Sequence, residues 1–143
     1  MNRTISWPAR QAAAALCLVW LATAFAQDPR ATSAQAAARD WLTLADRGDA
    51  QASWDAASKK FQAALPVAAW ADSLKKERAP LGAVLSRTAL KTTFRKTFPG
   101  VPEGDYALVV FETNFANRTE DHETITLERE ADGKWRVVGY SAL

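Results

Sequence analysis

Residues that can do chemistry first appear together in the segment SWDAASKKF, which sets a carboxylate and two hydroxyl groups near a tryptophan. Asp55, Ser58 and Gln62 follow one another at intervals of three and four, so on a helix they form a polar flank. Beside Trp54, this flank has the composition of a pocket rim with an aromatic wall. In the alternative, structural interpretation, Asp55 pairs with Lys59 in solvent and Ser58 bonds back to the preceding turn. We favour the structural interpretation, with Trp54 in the core.

Two arginines form a second candidate site. Arg78 and Arg87 bracket the connection between the two halves of the chain, and guanidinium groups hold anions through paired hydrogen bonds. Either arginine can instead pair with an acid of the protein and join the halves. The candidate acids are Asp40, Asp46 and Glu112. The sequence alone leaves both roles open.

An enzymatic interpretation uses some of the same residues. Asp55 or Glu112 would act as a base, and Arg87 or Tyr106 would stabilise an anion, as in a small isomerase or hydrolase. Such an enzyme needs a carboxylate with a raised pKa facing a cavity, whereas a binding module has its acids paired or solvated. Burial of the acids therefore separates the two classes.

The single histidine does not predict a metal site. His122 stands between Asp121 and Glu123, but on a strand these carboxylates point to the face opposite the imidazole. The sequence has no nucleophile elbow, phosphate-binding glycine loop or metal-ligand spacing. We predict no metal ion and no cofactor.

The first 26 residues have the pattern of a secretory signal peptide. Arg3 and Arg10 give a basic start, an apolar run of fifteen residues follows, and an A-x-A cleavage site ends at Ala26. A helix that crosses a bilayer needs about 20 residues. We predict cleavage after Ala26, a periplasmic or secreted product formed by one domain over residues 27–143, and no membrane contact after cleavage.

Cleavage also changes the charge and the thiol content. Arg3 and Arg10 are two of eighteen basic residues, so residues 27–143 carry sixteen basic and sixteen acidic groups and no net charge. A neutral domain lacks the basic excess of a nucleic-acid binder, and we predict no such partner. The only cysteine, Cys17, leaves with the signal, which excludes disulfide and thiol chemistry.

Helical patterns fill the first half of the mature chain. Thr32 and Gln35 have the spacing of a capping box, which predicts a first helix over residues 33–46. Pro66 suits the start of a third helix. Between them, an apolar stripe predicts one continuous second helix, and its members are Ala50, Trp54, Ala57, Phe61 and Leu65.

Strand patterns begin after Gly82 and predict four antiparallel strands. Ile125 and Leu127 face inward on the third strand, and Asp132-Gly133 indicates a two-residue hairpin turn. The inward set of the second strand is Ala107, Val109, Phe111, Thr113 and Phe115.

Alternation along the first strand predicts a basic face. The residues that alternation places on this face are Arg87, Lys91 and Arg95. Glu128 and Glu130 on another strand offer neutralising partners, so we expect a solvated, charge-paired surface.

Helices followed by hairpin-connected strands define an α+β domain. We expect three amino-terminal helices packed on one face of a curved four-stranded antiparallel sheet, as in a cystatin-like or nuclear-transport-factor-like cone. Such scaffolds host isomerases, hydrolases, ligand carriers and interaction domains, so the fold alone does not give the function.

Several short motifs, in this order, resemble an exported bacterial family, domain of unknown function 4019. The resemblance spans nearly the whole mature chain and implies a periplasmic α+β domain, with no activity, cofactor or catalytic residue to transfer. Phe98 departs from it, since a smaller aliphatic residue is expected before Pro-Gly. The motifs are ARDWL at 38–42, SWDAASKKF at 53–61, RAPLG at 78–82, PGVPEGDY at 99–106, FETNF at 111–115 and DGKWRVVGY at 132–140.

From these patterns we predict a non-catalytic module that binds an unknown small molecule or a protein partner. The contact lies at the opening between helices and sheet, or at an exposed strand edge by strand addition. The candidate binding residues are Asp55, Ser58, Arg78, Arg87 and Tyr106.

Overall fold

The computed structural model describes residues 27–142. The predicted signal peptide and its cleavage site at Ala26 therefore lie outside the described residues, as does Leu143. Four α-helices and a four-stranded antiparallel sheet build an α+β domain, which confirms the predicted class.

The first helix, α1, spans Pro29–Asp46 and begins four residues earlier than the capping-box pattern predicted. Asp28 is its N-cap, and proline at the first helical position suits a site where no backbone donor is needed. The predicted cap is wrong because Gln35 lies inside the helix, where its side chain donates to Thr92 Oγ1 at 2.9 Å.

The predicted second helix is in fact two helices, α2 over Ala50–Ala56 and α3 over Lys59–Ala64. Ser58 has extended backbone angles, and its Oγ caps α3 by accepting from Phe61 N at 3.1 Å. Its own N–H donates to Val137 O of the last strand at 2.9 Å. The chain leaves the helical path here because docking on the sheet satisfies the backbone groups that the break exposes.

The break changes the local pairing that the sequence suggested. Asp55 accepts from Gln51 instead of pairing with Lys59, which donates to Gln62. Trp54 packs against the core but is only half-buried, and its Nε1 donates to Leu65 O at 2.7 Å. The prediction of Trp54 as a core residue holds only in part.

The fourth helix, α4, spans Val67–Ser73 and continues into a π-helical turn over Leu74–Arg78 and a 3₁₀ turn over Ala79–Leu81. Trp70, Leu74 and Arg78 are all buried. The widened turn thus places a charged side chain, Arg78, in the interior four residues after the buried Leu74.

The strands are β1 over Val84–Arg95, β2 over Tyr106–Phe115, β3 over Arg118–Arg129 and β4 over Trp135–Ala142. They pair antiparallel in chain order, so β1 and β4 are the two edges. The β3–β4 connection is longer than the predicted two-residue turn because a Glu130 to Gly133 turn, with Gly133 at φ +80°, precedes the ladder.

One face of the sheet is covered by the helices and forms the core. The five residues predicted to face inward on β2 are all buried, as are Ile125 and Leu127 on β3, so both predictions are confirmed. Helix α1 supplies Trp41 to a cluster of aromatic rings. The other rings of this cluster are Phe61, Trp70 and Tyr140, with neighbouring centroids 5.4 to 6.2 Å apart.

The predicted basic face of β1 is wrong. A bulge between Ala89 and Lys91 shifts the register by one residue. Arg87 lies opposite Thr113 on the inner face, whereas Lys91 lies opposite Val110 on the outer face. A bulge inserts one residue and so reverses the alternation beyond it. Glu128 and Glu130 pair elsewhere, with Lys60 and Arg136.

Candidate functional site

A buried ion network lies between the end of α1, the π-helical turn and the sheet. We use this name for Asp46, Arg78, Arg87 and Glu123, together with the hydroxyl groups of Thr113 and Tyr140, which donate to Glu123. Arg87 is its centre: Nε and Nη2 donate to the two oxygens of Glu123 at 2.7 and 3.1 Å. Nη1 and Nη2 donate to the two oxygens of Asp46 at 2.7 and 3.1 Å.

Arg78 shares Asp46 with Arg87. Its Nε and Nη2 donate to Asp46 Oδ1 at 3.2 and 3.0 Å, and its Nη1 donates to Gly82 O at 2.7 Å. The guanidinium also lies 4.5 Å from the centre of the Phe115 ring. Gly82 has φ +80°, and a Cβ at this position would lie 3.0 Å from the Asn117 amide, so the turn that presents this carbonyl favours glycine.

Glu123 is fully buried and accepts hydrogen bonds from four donor atoms. Two are the Arg87 nitrogens, and the others are Thr113 Oγ1 at 2.5 Å and Tyr140 Oη at 2.9 Å. A buried carboxylate is stable as an ion only when it is paired and hydrogen-bonded. Its shell of donors meets that requirement, so the network is a neutral set of two cations and two anions.

The network shifts the pKa values of Arg87 and Tyr140. Burial alone would lower the pKa of Arg87, but hydrogen bonds to Asp46 and Glu123 outweigh it and raise the pKa above its ordinary value. Burial, together with the negative charge of Glu123, raises the pKa of Tyr140. The phenol therefore remains a hydrogen-bond donor at neutral pH.

A pocket of about 240 Å³ adjoins the network between α3, α4 and the π-helical turn on one side and β4 on the other. We call it the aromatic pocket. Arg78 forms part of the pocket wall. Glu77, the carboxylate in the pocket lining, is exposed to solvent. Its apolar and aromatic lining is Phe61, Ala64, Leu65, Trp70, Leu74, Val138 and Tyr140.

The structure brings together only two of the five predicted binding residues. Arg78 and Arg87 meet at Asp46, one of the three acids considered as internal partners. Asp55 is exposed on α2, and Ser58 is buried as the cap of α3. Tyr106 lies at the other end of the sheet and donates to Pro102 O at 2.8 Å.

The catalytic arrangement considered from the sequence is not assembled. Glu112 lies opposite His122 and Thr88 in the sheet, on the outer face, whereas Arg87 lies on the inner face. Alternation along β2 separates the two groups by the thickness of the sheet. Asp55 is likewise absent from the network.

Sequence reasoning missed Glu123 as a partner of Arg87. It placed Glu123 on the strand face opposite that of His122, but it did not continue the inward series of Ile125 and Leu127 back along β3. That series reaches Glu123 and Asp121, and both are buried, at 0 and 2% exposure. Period-two alternation was thus the signal that could have identified them.

Within residues 27–142, no group of three or more histidine, cysteine or acidic side chains is arranged to hold a metal ion. In the same range, no helix has the length and hydropathy required to span a membrane.

The fold and the network define a small α+β domain whose two halves are joined by a buried set of ion pairs. A family model described as "Protein of unknown function (DUF4019)" matches residues 37–140, and the chain belongs to this family. Comparison with curated proteins found no match, and comparison with solved structures found none.

Proposed function

We propose that the protein is an exported, non-catalytic binding module whose aromatic pocket takes a small apolar or aromatic molecule. The observation that carries this proposal is the pocket itself, which Phe61, Trp70 and Tyr140 line together with aliphatic side chains. Ligand pockets typically combine an apolar lining with a few polar groups that set orientation. Ser73, Glu77 and Arg78 are polar groups of the lining, and we take this pocket as the opening between helices and sheet.

The state of the acids next to the pocket favours binding over catalysis. Asp46 and Glu123, the acids next to the pocket, are each held by arginine and do not point into it as free bases. Glu77 at the wall is solvated. Paired and solvated acids are the arrangement expected of a module, since general bases are usually set apart by a perturbed pKa in a cleft.

We also infer a cone of the cystatin-like or nuclear-transport-factor-like type and a periplasmic or secreted location. The helices that cover one face of the sheet, with a pocket at an open end, support the first inference. The signal-like pattern that ends at Ala26 supports the second. Expression of the full chain in a bacterial host should yield a periplasmic protein whose amino-terminal residue is Gln27. Retention of Met1 in the cytoplasmic fraction would exclude export.

A filling substitution tests the pocket. Ala64 lies on its wall and is exposed, so Ala64→Trp should obstruct the pocket without disturbing the core. Ala63→Trp is the matched control, because Ala63 is also exposed on α3 but does not line the pocket. With p-cresol as the probe, ligand-detected NMR should show binding to wild type and to Ala63→Trp, and loss of binding to Ala64→Trp. Equal binding to all three proteins would contradict the proposal.

Strand addition by a protein partner is a second candidate, and the exposure of β1 favours it. This edge strand has twelve residues, and Leu85 and Leu90 are 67 and 52% exposed. If β1 takes a peptide strand, Leu90→Lys should abolish partner binding and leave p-cresol binding unchanged. Retained partner binding by this variant would count against the edge.

A further inference from the structure

A second cleft, of about 180 Å³, lies at the end of the sheet remote from the buried ion network. We call it the basic cleft. On β4 it reaches Trp135, whereas the aromatic pocket begins at Val138, three residues further along the strand. At about 3.3 Å per residue the two positions are roughly 10 Å apart. Its lining is Arg30, Phe94, Arg95, Lys96, Asp105, Tyr106, Arg129 and Trp135.

The basic cleft has an excess of positive charge, although the predicted mature chain is neutral. Its lining holds four cations and one carboxylate. Asp105 pairs with Lys96, and Asp28 outside the lining pairs with Arg30. Among the described residues, Arg95 and Arg129 have no carboxylate within ion-pair distance. Two positive charges of this cleft are therefore left without a carboxylate partner, and one of them, Arg95, lies 5.7 Å from the centre of the Phe98 ring.

Arg129 makes one hydrogen bond within the described residues. Its Nε donates to Gly133 O at 3.2 Å, which ties the guanidinium to the β3–β4 turn. Both Nη groups remain without a hydrogen-bond acceptor among the described residues. A planar fork of this kind matches two oxygens of a carboxylate or phosphate.

Aromatic rings lie beside these cations. The Phe94 and Trp135 rings are 6.0 Å apart at 43°, and the Arg30 guanidinium lies 4.4 Å from the centre of Phe94. Trp135 Nε1 donates to Ser33 Oγ at 3.2 Å, so α1 holds the indole in position. A ligand ring can pack against this half-buried pair while its charged group faces Arg129.

We propose that the basic cleft binds a small aryl oxyanion, that is, one aromatic ring that carries a phosphate or carboxylate group. Arg129 binds the oxygens, and Phe94 and Trp135 contact the ring. The proposal rests on residues outside the aromatic pocket and is independent of the function proposed above.

Calorimetric titration of the purified protein with phenyl phosphate tests the proposal. Phenyl phosphate should bind more tightly than inorganic phosphate because only the former uses the rings. Raising the salt concentration should weaken the binding of phenyl phosphate, as expected of an exposed charged site. Arg129→Gln should raise the Kd about tenfold, the loss expected for one charge-assisted hydrogen bond.

Arg47→Gln is the matched control, since it removes an equal charge at the opposite end of α1. Its Kd should equal that of wild type, and Ala64→Trp should also leave phenyl phosphate binding unchanged. Circular dichroism melts of each variant would verify folding. Absence of phenyl phosphate binding would overturn the proposal, as would equal affinity for inorganic phosphate or equal weakening in Arg129→Gln and Arg47→Gln. Loss of binding in Ala64→Trp would instead place the ligand in the aromatic pocket.

Discussion

Replacement of Arg87 by methionine is the most direct test of the buried ion network. The variant keeps an unbranched apolar stem but removes all four hydrogen bonds from Arg87 to Asp46 and Glu123. Glu123, whose side chain has no exposed surface, would keep only its two hydroxyl donors. Removing one partner of a buried ion pair costs about 3 to 5 kcal/mol. At about 4 °C per kcal/mol for a domain of this size, the melting temperature should fall by roughly 12 to 20 °C.

Thermal and urea denaturation followed by circular dichroism would measure the loss. Arg95→Met is the matched control, because Arg95 is exposed on the same strand, and its cost should stay within about 0.5 kcal/mol. The double variant Arg87→Met with Glu123→Leu should be less destabilised than the sum of its single variants, since neither charge is then left unpaired. A loss below about 1 kcal/mol for Arg87→Met, or strict additivity in the cycle, would refute the reasoning.

Three further predictions concern local elements. Ser58→Ala removes the cap of α3 and should lower the free energy of unfolding by about 1 kcal/mol in urea titration, with Ser73→Ala as a control whose side chain makes no capping hydrogen bond. Trp70→Ala should cost about 3 to 5 kcal/mol and Trp54→Ala measurably less, because only Trp70 is buried; equal losses in thermal melts would contradict this. Hydrogen bonds from Arg136, then from the Lys134 amide, lower the pKa of Asp132 to about 2. Its contribution to stability is present above its unfolded pKa of about 3.9 and is lost as the pH falls through about 2. An NMR titration midpoint near 4 would contradict it.

The class of the fold follows from patterns that act over a few residues. Alternation along β2 predicted its buried set because successive side chains of a strand point to opposite faces. The apolar spacing around Trp41 and Trp70 predicted helices for the same kind of reason, since 3.6 residues per turn bring such positions to one side. These preferences need no knowledge of the partner surface.

The errors fall where a distant segment overrides local preference. Ser58 interrupts an apolar stripe of helical period because its N–H reaches Val137 O on β4. In β1 the bulge near Leu90 separates Arg87 from Lys91, and no residue type in the strand marks it. A similar shift on β4 places both Val137 and Tyr140 on the inner face, although they are three positions apart and regular alternation would put them on opposite faces. Register depends on pairing with the neighbouring strand, which a single strand's sequence does not specify.

In the candidate site, too, local sequence patterns predicted some features and contacts between distant segments decided the others. The sequence identified Arg78 and Arg87 as the charged groups at the junction and named Asp46 among their possible partners. It could not select Asp46 over the other acids, and it did not identify Glu123. The selection was made by the tertiary fold, in which the π-helical turn and β1 bring both guanidinium groups to one partly buried carboxylate.

The sequence by itself determined the α+β class, the inward set of β2 and the equal numbers of basic and acidic residues in 27–143. Each of these depends on residue identity or on periodicity within one segment. The tertiary structure alone decided which charges meet, which rings line a pocket and where cations remain unpaired. Those outcomes depend on distances between segments far apart in the chain, and burial makes them decisive because a charge removed from water must find its partner within the protein.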